Sequence, residues 1–230
     1  PMFANLAWVG AQDEEIAARF RALGTPADRV TITSSLKWDT ALVADRVPGM
    51  EELAAALSIP PARPLWVCGS TGPGEEEILL EAYARILADH EARVVQAGLT
   101  GSAPLLVLVP RKPERFDEVA RLIEQAGFRC IRRSLHPDGS PPGDSASPRT
   151  VILGDTMGEL RKFYALARVV FVGRSLVPMG GSDPMEVAAL GRPIVAGPHL
   201  ENFALAAHAL GAAGVLRSCG DAAALADCVG

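Results

Sequence analysis

Aromatic residues are scarce, at 5% of the 230 residues. Leu, Val, Ile and Ala must therefore fill any core, and a hydrophobic fraction of 49% supplies enough of them. No long Lys/Arg run occurs and the formal net charge is −5, which excludes the electrostatic footprint of a nucleic-acid binder. An anionic ligand can still be held by a few local Arg or Lys side chains and by helix N-termini. The cysteines Cys68, Cys130, Cys219 and Cys228 form no C-x-x-C pair and no His cluster accompanies them, which argues against a zinc site. Cys68 and Cys130 sit in or beside apolar stretches and read as small buried hydrophobes, compatible with a reducing compartment. No apolar run approaches the length of a membrane span. No signal peptide is evident, although a start at Pro1-Met2-Phe3 leaves room for residues upstream. Neither G-x-G-x-x-G nor a P-loop occurs, so two common nucleotide fingerprints are missing.

What is present is an alternation of strand and helix signals. Leu6–Val9 and Val30–Thr33 read as short strands, with a helix over Asp13–Leu23 that Gly24 ends. Met50–Leu57 reads as a helix closed by Pro60, Pro61 and Pro64. Further strands are expected at Leu65–Cys68, Leu105–Val109, Phe128–Ile131, Val151–Leu153, Val169–Val172 and Pro193–Ala196. Helices are expected at Glu75–Asp89, Pro113–Ala126, Gly158–Ala167, Asp183–Leu190 and Asn202–Leu210. The Pro/Gly/Ser/Asp-rich stretch Pro137–Arg149 reads as a mobile surface loop. Repeated βαβ units imply an α/β fold with a Rossmann-like, largely parallel sheet covered on both faces. Ligands of such sheets bind at the carboxyl ends of the strands, so the loops after Cys68, Val109, Leu153, Val172 and Ala196 matter most.

Each of those loops carries a candidate. Gly69-Ser70-Thr71-Gly72-Pro73-Gly74 leaves a strand and opens a helix. It reads either as an anion-facing turn or as a tight turn followed by the favourable first-turn acids Glu75, Glu76 and Glu77, which would repel a phosphate placed close by. Arg111 leaves the next strand where a ligand would lie and can grip a phosphate through two hydrogen bonds, whereas Arg115 suits surface pairing with Glu114 or Glu118. In Gly154–Leu160, Gly158 permits close approach to a ligand, while Asp155 or Thr156 equally suits a helix cap. In Gly173–Glu186, Gly180-Gly181 offers unhindered backbone N–H groups, and Asp183-Pro184 reads as an N-cap followed by Pro at the first helical position. Glu186 either completes a capping box with Asp183 or accepts the two hydroxyls of a ribose. Gly197-Pro198-His199 has no nucleophile in local sequence for which His199 would act as base.

Taken in order, these segments resemble the C-terminal half of the 3-deoxy-D-manno-octulosonic acid (Kdo) transferases. The segments are Ser35–Asp39, Ser70-Thr71 with Gly74–Glu77, Pro110-Arg111 with Pro113–Arg115, Asp155–Leu160, Phe171–Gly173, Ser175–Pro178, Gly180-Gly181, Pro184, Glu186, Ala189–Gly191 and Gly197–His199 with Asn202-Phe203. The resemblance covers the chain from about Leu6 to Leu210, and it rests on the ordered set more than on any one motif.

The resemblance implies a GT-B glycosyltransferase, with two Rossmann-like domains facing each other across a cleft. Residues 1–40 would hold the last strand and helix of the N-terminal domain and the crossover. Residues 41–230 would be the nucleotide-sugar-binding domain, without its final crossover helices. It implies CMP-Kdo as donor, a lipid A precursor at the cytoplasmic face of the bacterial inner membrane as acceptor, and inverting transfer without metal or cofactor. The carboxylate base would lie in the N-terminal domain, leaving no catalytic residue in this chain. Arg111, Met157, Gly158, Gly180, Gly181, Asp183 and Glu186 would surround CMP, and Lys37, Ser70 and Thr71 would approach the donor phosphate or sugar. The sequence departs from the family where Gly72 and Lys112 replace frequent His residues and Arg174 interrupts a usual Gly-Gly. Ser182-Asp183 stands for His-Asn, Ser34-Ser35 stands for Gly-Asn, and Asp183 brings a negative charge toward the expected phosphate. The same fold with a different nucleotide sugar, or with no catalysis, is the competing expectation. A nicotinamide-dependent oxidoreductase would need the absent G-x-G-x-x-G.

Overall fold

The computed structural model describes residues 2–33, 44–97, 101–137 and 147–230. Two compact units are formed, Pro1–Leu42 and Val43–Gly230. In the first, strand β1 (Val9–Ala11) pairs in parallel with β2 (Val30–Ile32). The helix Glu14–Ala22 between them starts where Asp13 accepts a hydrogen bond from the Ile16 amide at 2.7 Å, and Gly24 ends it at φ +102°. Val9, Ala11, Ala17 and Val30 make a small core of their own. The first strand starts later than Leu6 because Leu6 packs on this core from outside the ladder.

The second unit is built on seven parallel strands, β3 (Leu65–Thr71), β4 (Leu105–Pro110), β5 (Arg129–Arg132), β6 (Thr150–Leu153), β7 (Val169–Val172), β8 (Ile194–Ala196) and β9 (Leu216–Ser218). Their spatial order is β5-β6-β4-β3-β7-β8-β9. Every residue of β3, β4 and β6 is buried, as strands covered on both faces require. Successive residues feed opposite cores. Leu65, Val67, Val107, Ile152, Val170 and Ile194 face one layer, and Trp66, Cys68, Leu106, Leu108, Phe171 and Val195 face the other. The first layer is closed by helices Met50–Ala56, Leu160–Leu166, Met185–Ala188 and Ala204–Ala212, and the second by Glu76–Ala97, Phe116–Gln125 and Ala222–Val229.

The seven-stranded sheet starts at β3, builds outward through β4 to the β5–β6 edge, then returns to the other side of β3 as β7 and continues to β8 and β9. The direction of winding therefore reverses between β3 and β7, and the crevice at their carboxyl ends is the natural ligand position. Three expectations change. The helix after β3 runs on to Ala97 instead of ending near Asp89. Strand β9 and helix Ala222–Val229 lie beyond the last expected element. Only Leu216 of β9 is buried, and the helix is signalled mainly by Asp221, whose carboxylate accepts from the Ala224 amide at 2.8 Å. Among the described residues no helix is long and apolar enough to cross a membrane. Residues 138–146 of the expected surface loop fall outside the described residues.

Candidate functional site

At the β3/β7 crevice the two strand ends touch. A Cβ on Gly173 would come within 2.6 Å of the Ser70 carbonyl oxygen, so only glycine lets the backbones meet there. Strand β3 bends at this point. Ser70 sits at φ +57°, and the pairing of β3 with β4 shifts between Gly69 and Thr71. Ser70 is buried and shares a hydrogen bond with the phenol of Tyr164. Thr71 is buried as well, and its hydroxyl donates to Glu76 at 2.7 Å. Of the two, Thr71 lines the adjoining pocket, and the Ser70 side chain is engaged inside the protein.

The acids after this turn do not repel a ligand at the surface, as the sequence suggested; two of them are buried structural partners. Glu75 is fully buried, and its carboxylate accepts four backbone N–H groups. One oxygen takes the amides of Ser175 at 2.8 Å and Leu176 at 2.9 Å, and the other takes Arg174 at 2.6 Å and Gly72 at 2.9 Å. A single side chain thus ties the β3 loop to the β7 loop across the switch point. Glu76, also fully buried, receives a two-pronged contact from Arg115 at 2.7 and 3.1 Å. Burial raises the Glu76 pKa, while the Arg115 guanidinium and the Thr71 hydroxyl work against that rise. Arg115 is therefore not a surface residue. It is 6% exposed and also holds Glu118 at 2.8 Å.

A pocket of about 480 Å³ opens beside these loops, lined by Thr71, Arg111, Lys112, Arg115, Arg174 and Met179, among others. The Arg111 backbone amide donates to Thr71 O at 3.0 Å, which fixes where its side chain leaves β4. Lys112 has Glu114 at 3.6 Å, and Arg115 is spent on Glu76 and Glu118. That leaves Arg111 and Arg174 without a carboxylate partner among the described residues. A larger cavity of about 560 Å³ lies between Pro61–Leu65, Leu166–Val169 and Arg192-Pro193. It opens at the amino ends of β3, β7 and β8, away from the switch-point loops, and the topology favours the smaller one as the ligand site.

The β7 loop is shaped by its own hydrogen bonds. Gly180 and Gly181 adopt φ +79° and +80°, a conformation that favours glycine. The Gly181 amide, expected to be open to a ligand, donates instead to Arg174 O at 2.8 Å. The buried Ser175 hydroxyl donates to Val172 O at 2.6 Å and accepts from the Gly197 amide at 2.8 Å, which joins the β8 loop to the assembly. The helix that follows is only Met185–Ala188, so Pro184 precedes it and Glu186 is its second residue. Asp183 accepts from the Met185 amide at 3.0 Å, and no capping box forms with Glu186. The Glu186 carboxylate is exposed and has no hydrogen-bond or ion-pair partner among the described residues. Burial raises the pKa of the nearby Tyr164 phenol and the Glu186 charge raises it further, while Arg111 acts in the opposite direction.

Other sequence candidates are placed apart. Met157 is 71% exposed and Gly158 has φ +81°; both follow β6, with β4 between β6 and β3, and neither lines the 480 Å³ pocket. Gly180, Gly181, Asp183 and Glu186 follow β7 and also lie outside that lining. Asp155 does not cap a helix. Buried, it accepts from Arg132 at 2.7 Å and from both the amide and hydroxyl of Ser134, bolting the end of β6 to the end of β5. Thr156 does not cap a helix either, and its hydroxyl donates to Glu159. Lys37 and the whole Ser35–Asp39 segment lie outside the described residues. Glu75 was missed as an organiser because a Glu after a Gly turn has the ordinary signature of a helix first turn.

A family model described as 3-deoxy-D-manno-octulosonic-acid transferase (kdotransferase) matches residues 1–40. The chain is 35% identical over 202 residues to the 3-deoxy-D-manno-octulosonic acid transferase of Haemophilus influenzae, covering 88% of this chain and 43% of that protein. It is 38% identical over 216 residues to the enzyme of the same name from Bordetella pertussis, covering 94% and 46%. The chain therefore spans less than half the length of these curated relatives. Among solved structures it is similar to the C-terminal CMP-Kdo binding domain of WaaA from Acinetobacter baumannii, at 31% identity and a TM-score of 0.63, covering 78% of this chain and 84% of that one.

Proposed function

The chain belongs to the 3-deoxy-D-manno-octulosonic acid transferase family, and on that premise we propose that its seven-stranded unit holds CMP-Kdo for transfer of Kdo to a lipid A precursor. The fold is the Rossmann-like C-terminal domain of a GT-B glycosyltransferase. The observation that carries the reading is the switch-point crevice, where Arg111 after β4 and Glu186 after β7 have no ion-pair or side-chain hydrogen-bond partner among the described residues. Arg111 takes the phosphate, and Glu186 accepts from the vicinal ribose hydroxyls, for which its two oxygens are suited. When the bond from the anomeric carbon to the phosphate oxygen breaks, its electron pair leaves with CMP. A fixed guanidinium stabilises that developing negative charge. Of the other residues that the resemblance points to, Thr71 lines the pocket and faces the phosphate, whereas Met157, Gly158, Gly180, Gly181 and Asp183 lie outside its lining, Ser70 is engaged by Tyr164, and Lys37 falls outside the described residues. The acceptor belongs at the cytoplasmic face of the inner membrane.

A thermal-shift panel of CMP, UDP, ADP and NAD tests this, since a ligand that binds only the folded state raises its stability. CMP is expected to raise the melting temperature and NAD to leave it unchanged. A shift with UDP in place of CMP would move the donor to another nucleotide sugar. No shift with any of the four would refute the nucleotide site.

A further inference from the structure

We propose that Arg174 is a second anion anchor of the donor pocket, taking the carboxylate of an acidic sugar while Arg111 takes the phosphate. This rests on the donor-site reading above and adds to it the part of the ligand that Arg174 recognises. The first observation is charge. Of the four cations lining the pocket, Arg115 and Lys112 have carboxylate partners, whereas Arg111 and Arg174 have none among the described residues. Two unpaired guanidiniums in one pocket of about 480 Å³ suit a ligand with two separated anionic groups. A nucleoside monophosphate joined to a 2-keto acid sugar is such a ligand. A nucleotide carrying a neutral sugar presents only phosphate.

The second observation is backbone conformation. Arg174 stands at φ +61°, where a side chain is disfavoured and glycine is at ease. The turn needs that conformation because it delivers the Arg174 amide to Glu75 at 2.6 Å and the Arg174 carbonyl to the Gly181 amide at 2.8 Å. Among the described residues one hydrogen bond engages the Arg174 guanidinium, Nη2 donating to Met179 O at 3.2 Å, which leaves most of the fork available. That contact fixes the direction of the group without neutralising it. The room comes from Gly72, where a Cβ would meet the Met179 sulfur at 2.8 Å and the Arg174 side chain at 3.3 Å. Gly72 and Arg174 therefore form one arrangement, in which the small residue on the β3 loop accommodates the large cation on the β7 loop.

The division of labour between the arginines follows from position. Arg111 follows β4 and Arg174 follows β7, so they reach the pocket from opposite sides of β3. With the phosphate on Arg111, Arg174 is left for the sugar carboxylate.

The test is calorimetric titration of the chain with CMP and with CMP-Kdo. The variants are Arg174→Gly, Arg174→Lys and Arg111→Ala, each checked by thermal melting. Arg174→Gly is the residue the backbone prefers, so its melting temperature should not fall. Its Kd for CMP should stay within twofold of the parent, while its Kd for CMP-Kdo should rise at least tenfold. Arg174→Lys keeps the charge but loses the fork, and should fall between. Arg111→Ala should weaken both ligands alike. The proposal is overturned if Arg174→Gly weakens CMP and CMP-Kdo by the same factor, or weakens neither. A parent chain that binds neither ligand overturns the donor-site reading itself, which separates the two failures.

Discussion

Replacing Glu75 by Gln exchanges one carboxylate oxygen for an NH₂ of nearly the same size, yet it should loosen the whole switch point. The carboxylate serves two pairs of amides, Ser175 and Leu176 on one oxygen and Gly72 and Arg174 on the other. Gln keeps one acceptor oxygen and presents an NH₂ to the other pair. With its oxygen toward Ser175 and Leu176, the donors at Gly72 and Arg174 are orphaned and the tie between the two loops is weakened. The opposite flip orphans Ser175 and Leu176. Two buried unsatisfied donors at about 1–3 kcal/mol each give a loss of about 2–6 kcal/mol. Relief from desolvating a carboxylate offsets part of this and favours the lower half of that range. Urea denaturation followed by far-UV circular dichroism reads the loss as a lower midpoint at unchanged slope. Where the flip orphans the Arg174 amide, affinity for CMP-Kdo, measured on the folded variant, should fall as well. A Glu75→Gln variant within about 0.5 kcal/mol of the parent, the ordinary range for a surface substitution, would refute the clamp.

Arg115→Ala should destabilise the fold by about 3–5 kcal/mol in urea, because it strands the buried Glu76 carboxylate, whereas Arg111→Ala should leave the midpoint unchanged. Equal midpoints for the two would overturn the distinction. Glu186→Gln should weaken CMP by about 1–3 kcal/mol in calorimetry. The 2′-deoxy form of CMP should then carry a penalty only in the parent, and equal penalties in both proteins would take Glu186 off the 2′-hydroxyl. Glu159 gives a pH signature. Burial pushes its carboxyl up, but the Thr156 hydroxyl and the Arg133 guanidinium outweigh that and hold it below the usual value. A depressed folded pKa adds stability above the unfolded pKa, and that stability is lost as pH falls through the folded one. The stability gap between parent and Glu159→Gln should therefore be full at neutral pH and shrink on acidification below about pH 4.3, the usual Glu value; a gap independent of pH would contradict this.

The α/β alternation, the parallel sheet and most strand positions were legible in the sequence, because strands buried on both faces appear as short unbroken apolar runs such as Leu105–Val109. The place of Arg111 just past β4, in the pocket lining, was legible too, since the end of such a run marks the carboxyl end of the sheet. Local pattern reached less far at the weakest elements. Strand β9 buries one residue, and the alanine-rich helix after it has little periodicity to detect. The fates of Glu75, Arg115 and Glu186 needed the tertiary structure. Glu75 meets amides 99–101 residues away, and Arg115 meets Glu76 across 39 positions. Glu186 loses its expected capping partner only because the turn at Asp183 closes one step earlier, onto Met185. Helix and strand follow from interactions between near neighbours, which the sequence displays. Whether a carboxylate is buried or faces a ligand depends on which distant backbone the strand order brings against it.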